Sequence, residues 1–185
     1  MTSRRQLVIV DCETTGLDWE KHVPVEAAWE HRGTGERGLF IPPHTRRDMA
    51  HADPAALRIN QYYERGLDKQ DRWDKDGSEI GRLHRMLRKN SMVGSNPSFD
   101  ASMLGPMHRR WGLAPNPWHY VTLDIGTYAA GVFGLPIGDR FTLPALCDRV
   151  GVPRGDHTAE GDVTATGLCL DALDEYRASR FGGVG

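Results

Sequence analysis

The chain has 185 residues, 39% hydrophobic and 26% charged, with a formal net charge of −2. That is the balance of one globular domain, able to fold without disulfides or metal. The charge excludes a strongly basic, mainly electrostatic nucleic-acid binder. The three scattered cysteines, Cys12, Cys147 and Cys169, form no Cys-x-x-Cys pair and so exclude a zinc ribbon or a disulfide scaffold.

No apolar run approaches the ~20 residues of a membrane span, and the first ten residues lack the features of a signal peptide. We therefore expect a cytoplasmic protein with no membrane partner. Its organisation is read as a single domain over 1–180 and a flexible tail over 181–185.

Leu7-Val8-Ile9-Val10 predicts a buried central strand ending near Asp11-Cys12-Glu13, with Thr14-Thr15-Gly16 as a turn. Val23 to His31 and Gly38 to Ile41 read as two more strands, arms of a hairpin around Gly33-Thr34-Gly35, with Pro42-Pro43 stopping the second. Residues 44–75 are polar and broken, with a short helical piece around Pro54–Ile59. Asp76 to Lys89 predicts a helix with Ile80, Leu83, Met86 and Leu87 as its apolar stripe and Asp76 with Glu79 as a capping box.

Met92-Val93-Gly94 reads as a short strand. Ser98 is the expected cap of a helix towards Trp111 that Gly105-Pro106 kinks or ends early. Tyr120 to Leu123 reads as another strand, after which Asp124 caps a helix to Phe133 and Thr142 begins one to Val150. Thr158 or Asp156 caps the last helix, about Ala159 to Arg180, where Val163, Leu170, Leu173 and Tyr176 recur at helical spacing. Leading strands followed by alternating helices and strands imply an α/β or α+β domain on a mixed sheet, with its chemistry at the strand ends.

Asp11 and Glu13 stand two apart, so on a strand both project to one face and Cys12 to the other. Crowded carboxylates repel, and burying them unpaired is costly. A cation between them resolves this, and oxygen-only ligation points to Mg²⁺ or Mn²⁺. The plainer alternative is a strand end reaching solvent. Asp100 falls in the first turn of a helix after a strand, where the helix dipole alone favours an acid. His157 leaves a Gly-rich loop, and Asp162 lies one turn into the last helix. Taken singly, these also fit a surface loop with a capping acid.

Together the three segments resemble the three exonuclease motifs of the DEDD superfamily, in its DnaQ-like branch that uses histidine. Asp11-Cys12-Glu13-Thr14-Thr15-Gly16-Leu17 is similar to the first, Asp-x-Glu-Thr-Thr-Gly. Asn96-x-x-Phe99-Asp100-x-x-x-Leu104 is similar to the second and His157-x-Ala159-x-x-Asp162 to the third. The tyrosine branch carries Tyr four residues before the last Asp, and here that residue is Thr158. The resemblance runs from about Leu7 to Tyr176, with softer echoes at Thr122-Leu123-Asp124 and Phe141 to Leu146. It departs after Asp53 to Leu57, where Asn60-Gln61-Tyr62 replaces a His-Gly-Ile-like turn near the terminal nucleotide, so the contact to the substrate end differs here.

The resemblance implies a ribonuclease H-like fold on a roughly five-stranded mixed sheet. It also implies two divalent ions, Mg²⁺ or Mn²⁺, held by Asp11, Glu13, Asp100 and Asp162. The charges agree: two such ions balance four carboxylates, and without them the site repels a phosphodiester. The activity implied is 3′–5′ exonuclease cleavage releasing 5′-mononucleotides, on a nucleic acid with a free 3′ end, single-stranded DNA first. Trimming of RNA is the alternative activity, and a catalytically inactive nucleic-acid-binding module the alternative class.

In this reading His157 is the general base, since a histidine's ordinary pKa of about 6.5 suits that task. Thr14 and Thr15 donate to the terminal nucleotide, Gly16 brings the backbone close, and Leu17 presses on the base. Asn60 and Asn96 are candidate substrate contacts. Phe99 is either a base platform or core.

A haloacid dehalogenase-type phosphatase needs a second Asp where Glu13 stands. The other histidines, at 22, 31, 44, 51, 84, 108 and 119, show no metal-ligand spacing. Arg82, Arg85, Arg88 and Lys89, like Arg109-Arg110, read as solvated surface ahead of a phosphate-binding patch. A polymerase partner or a homodimer stays open.

Overall fold

A computed structural model describes residues 5–182. Strands β1 (Leu7–Thr14), β2 (Pro24–His31) and β3 (Glu36–Phe40) pair antiparallel in sequence. β4 (Ser91–Gly94) and β5 (Leu123–Asp124) extend the other edge of β1 in parallel, giving the order β3-β2-β1-β4-β5. This is the mixed five-stranded sheet that the sequence predicts, with the apolar run Val8-Ile9-Val10 buried in its centre.

Alternation along β1 divides the core. Val8, Val10 and Cys12 face one side and pack with residues of α3 (Ser78–Leu87) and α4 (Pro97–Arg110). Ile9 faces the other and packs with α5 (Ile125–Phe133), α6 (Leu143–Val150) and α7 (Ala159–Phe181). Two short helices, α1 (Arg46–Met49) and α2 (Pro54–Ile59), occupy the broken segment. That segment closes a small third cluster of Val25, Ile41, Tyr62 and Leu67.

The chain caps three helices as expected: Asp124, Thr142 and Thr158 each accept a backbone N–H of the first turn of α5, α6 and α7. Elsewhere the structure corrects the sequence reading. Asp76 and Glu79 form no capping box. Gly77, at φ +70°, stands at the cap of α3 instead, and the Asp74 carboxylate folds under the first turn to accept from Glu79 N–H at 3.3 Å and Ile80 N–H at 2.9 Å.

Ser98 does not cap α4, because Pro97 takes the first helical position and Asn96 turns the chain in with φ +70°. α4 also runs straight through Gly105 and Pro106, held on both sides of the proline by buried Met103, Leu104 and Met107. β5 is shorter than expected and begins only at Leu123. Tyr120 is 88% exposed, and the paired register with β4 covers Val93↔Leu123 and Gly94↔Asp124 alone, so strand propensity finds no neighbour before that point.

Where the tail was expected, Phe181 ends α7 and Gly182 is its cap, while 183–185 lie outside the described residues. No described helix is long and apolar enough to cross a membrane.

Candidate active site

The pleat of β1 places Asp11 and Glu13 on the face of Ile9, the face that α7 covers, and Cys12 on the opposite face. The first turn of α7 brings Asp162 to the same spot. Carboxylate oxygens of Asp11, Glu13 and Asp162 all lie within 4.8 Å of one another. Asp100, in the first turn of α4 just beyond β4, is buried at 3% exposure. Its Oδ1 accepts the Cys12 backbone N–H at 3.0 Å, which hooks α4 onto β1 between the two strand acids.

His157 is exposed and sits at φ +60°, immediately before the Thr158 cap. Its backbone amide supports the Asp162 carboxylate. The preceding loop passes so close that a Cβ at Gly155 would collide with Asp162 Oδ1, and glycine alone fits there.

The electrostatics follow from crowding. Burial pushes the Asp11 carboxyl well above its ordinary range, and the charges of Asp100, Asp162, Glu13 and Glu26 add to the shift. Glu13 is pushed up to about 8 by burial and by Asp162 and Glu26, with Arg65 opposing. Burial raises Asp100 to about 7 against the hydrogen bond from Cys12. Asp162 is raised by burial, with His157 opposing. A set of converging acids that resist ionisation is the donor set a hard divalent cation fits, because it supplies the missing positive charge and takes only oxygen ligands.

The expected nucleotide contacts divide in two. Leu17 projects at 81% exposure, Asn96 is exposed, and Phe99 is half-buried without belonging to any of the three apolar clusters. The other three are corrected, for their polar groups are turned inward. Thr14 Oγ1 donates to the Gly16 carbonyl at 2.8 Å. Thr15, fully buried, has its Oγ1 3.2 Å from His22 Nδ1 and accepting the Val23 N–H at 3.1 Å. Asn60, at 1% exposure, donates from Nδ2 to the Thr14 carbonyl at 3.1 Å. These three shape the turn that presents Gly16 and Leu17.

Sequence reading passed over two residues beside the site. Glu26 of β2 lies directly across from Glu13 in the register, at 2% exposure. Its carboxylate accepts from the Arg65 guanidinium and from the Ala159 backbone N–H, the latter at 2.9 Å. The available signal was an acid inside Val25-Glu26-Ala27-Ala28-Trp29, an otherwise apolar strand.

A model of the RNase T exonuclease family matches residues 8–169. Among solved structures, Escherichia coli exonuclease I in complex with a dT13 oligonucleotide superposes with a TM-score of 0.72 at 18% identity, over 96% of this chain and 42% of that one. The zinc-bound form of the E. coli exonuclease I–single-stranded DNA complex gives 0.76 at 18% identity, over 97% and 42%. A product-bound exonuclease I structure gives 0.72 at 18%, over 96% and 44%. The likeness is one of fold, the ribonuclease H-like exonuclease architecture, and this chain spans less than half the length of the chains it matches.

Proposed function

The chain belongs to the exonuclease family, and on that premise we propose that it is a metal-dependent 3′–5′ exonuclease that releases 5′-mononucleotides, acting first on single-stranded DNA. The observation that carries the reading is the convergence of Asp11, Glu13 and Asp162, with Asp100 buried beside them and His157 at the mouth. Asp11, Glu13, Asp100 and Asp162 would hold two Mg²⁺ or Mn²⁺ ions. When bound, such ions lower the pKa of the attacking water and stabilise the charge of the leaving 3′ oxygen.

The chain's own residues supply the rest. His157, on an exposed loop and free of any ligand duty, takes the proton of the attacking water. Leu17 stands proud of the first-motif turn and presses on the terminal base, while Phe99 offers a ring on the other side of the acids. The single-stranded oligonucleotides held by the exonuclease I structures support this choice of substrate.

The test is a time course on 5′-labelled linear DNA, on RNA of the same sequence and on circular single-stranded DNA, with Mg²⁺, Mn²⁺ or chelator. We expect a ladder shortened from the 3′ end of the linear DNA, silence in chelator, and an intact circle. Cutting of the circle at a comparable rate, or activity undiminished by chelator, overturns the reading. A clear preference for RNA reassigns the substrate.

A further inference from the structure

We propose that Glu26 is a positioning residue of this active site, fixing the first turn of α7, and with it Asp162 and His157, against Glu13. Two glutamates directly opposite on one face of an antiparallel pair repel, yet β2 keeps Glu26 almost fully buried across from Glu13. Its carboxylate accounts for this by serving two segments remote in sequence. One oxygen accepts the N–H of Ala159, the first residue of α7. Ala159 is fully buried, and this N–H has no intrahelical partner, so it needs an acceptor from outside the helix. A carboxylate there also meets the positive end of the helix dipole.

The other oxygen takes the guanidinium of Arg65. Arg65 in turn donates to the Asn60 carbonyl at 3.1 Å, and the Asn60 side chain donates to the Thr14 carbonyl at 3.1 Å. A closed circuit therefore runs from β2 through residues 60–65 to the end of β1, with a spur to α7. Thr158 and Glu26 divide the orphan donors of the α7 start between them: Gly161 N–H goes to Thr158 Oγ1 and Ala159 N–H to Glu26. Thr158 holds the turn to itself, whereas Glu26 alone holds it to the sheet that carries Glu13. Glu26 touches neither substrate nor reacting atoms. It acts through the placement of Asp162 three residues further on.

Only the activity arm of the test rests on the exonuclease reading. Glu26→Ala, Glu26→Gln and Arg65→Met are compared with wild type by thermal melting, by Mn²⁺ titration of the metal-free protein followed by EPR, by amide exchange of residues 159–162, and by kcat and KM on a single-stranded oligonucleotide. We expect Glu26→Ala to bind Mn²⁺ about 10–100-fold more weakly, to exchange faster across the first turn of α7, and to lose kcat while KM stays within about threefold. Glu26→Gln keeps an acceptor for the Ala159 N–H and should recover part of the Mn²⁺ affinity. Arg65→Met leaves that acceptor intact and should lose less than Glu26→Ala.

A folded Glu26→Ala protein with wild-type Mn²⁺ affinity, exchange and kcat overturns the proposal, whatever its melting temperature. If Glu26→Ala does not fold, wild-type Mn²⁺ affinity and exchange in both other variants overturn it. Weakened Mn²⁺ binding and faster exchange together with an inactive wild type leave the positioning role standing and remove the exonuclease reading.

Discussion

At the scale of single residues, the four acids and the histidine are legible in the sequence because their geometry is local. Two carboxylates two apart on an apolar strand share a face whatever surrounds them, and an acid one turn into a helix has a fixed direction. The inward turn of Thr14, Thr15 and Asn60 was not legible, since the partner of each hydroxyl or amide is a backbone group set by tertiary packing. Glu26 was hidden for the same reason, its partners lying 39 and 133 residues away. His157→Ala removes the proposed base and no ligand, so turnover should fall about 10²–10⁴-fold with Mn²⁺ binding kept. Steady-state kinetics beside a Mn²⁺ titration decide this, and near-normal turnover would remove His157 from that role. The raised carboxyls make a second expectation. Glu13 at about 8 and Asp100 at about 7 lie above the ordinary carboxylate range of about 4. The metal-free native state therefore holds more protons than the unfolded chain between roughly pH 4 and 8, and its stability falls as pH rises through that window. Melting temperatures in chelator should decline from pH 5 to pH 8, and Mn²⁺ should abolish the decline. Asp100→Asn keeps an acceptor for the Cys12 N–H and removes a charge, so at pH 8 in chelator it should melt a few degrees higher than wild type, about 2–4 °C for each kcal/mol gained. A large fall would make Asp100 a structural residue.

At the scale of elements, caps that act within three residues were readable and those that reach further were not. Asp124, Thr142 and Thr158 bond their own first turns. The start of α3 depends on Asp74, outside the expected box, because Gly77 reverses the chain. Strand propensity alone overextended β5 into exposed Tyr120 and Val121, where β4 offers no partner. Asp124 does more than cap. Its Oδ1 accepts the Thr127 N–H at 2.6 Å, its Oδ2 accepts the Asn96 N–H at 2.8 Å, and Arg140 lies 3.4 Å from it. One carboxylate thus joins α5 to the turn that opens α4. Asp124→Ala should destabilise the protein by about 1–2 kcal/mol, read as a lower urea midpoint at unchanged slope. Asp124→Asn should recover part of that loss. An unchanged midpoint in both variants would mean that water replaces the cap without cost.

At the scale of the whole molecule, 23 basic residues stand against 25 acidic ones, and the structure engages part of the two basic clusters. Arg82 is held by Glu36 at 2.7 Å and lies over the Trp29 ring, and Arg110 is held by Asp48 at 2.9 Å. Few cations remain to follow a phosphate backbone, and each phosphate contact adds to the grip and to its salt dependence. We expect this 185-residue chain to act distributively. Labelled single-stranded DNA, bound first and then started with metal and excess unlabelled DNA, should be shortened by only a few nucleotides. Long digestion tracts in physiological salt would show a backbone track elsewhere on the surface. More than half of each exonuclease I chain lies outside the superposition, so extra grip there has no bearing on the domain itself. The carboxylate trio has a separate consequence for synthesis of the protein. Asp11 and Glu13 leave the ribosome near the beginning of translation, whereas Asp162 emerges only with the last helix. A nascent or prematurely terminated chain carries two-thirds of the trio and no centre, so a half-made copy is harmless to any nucleic acid around it.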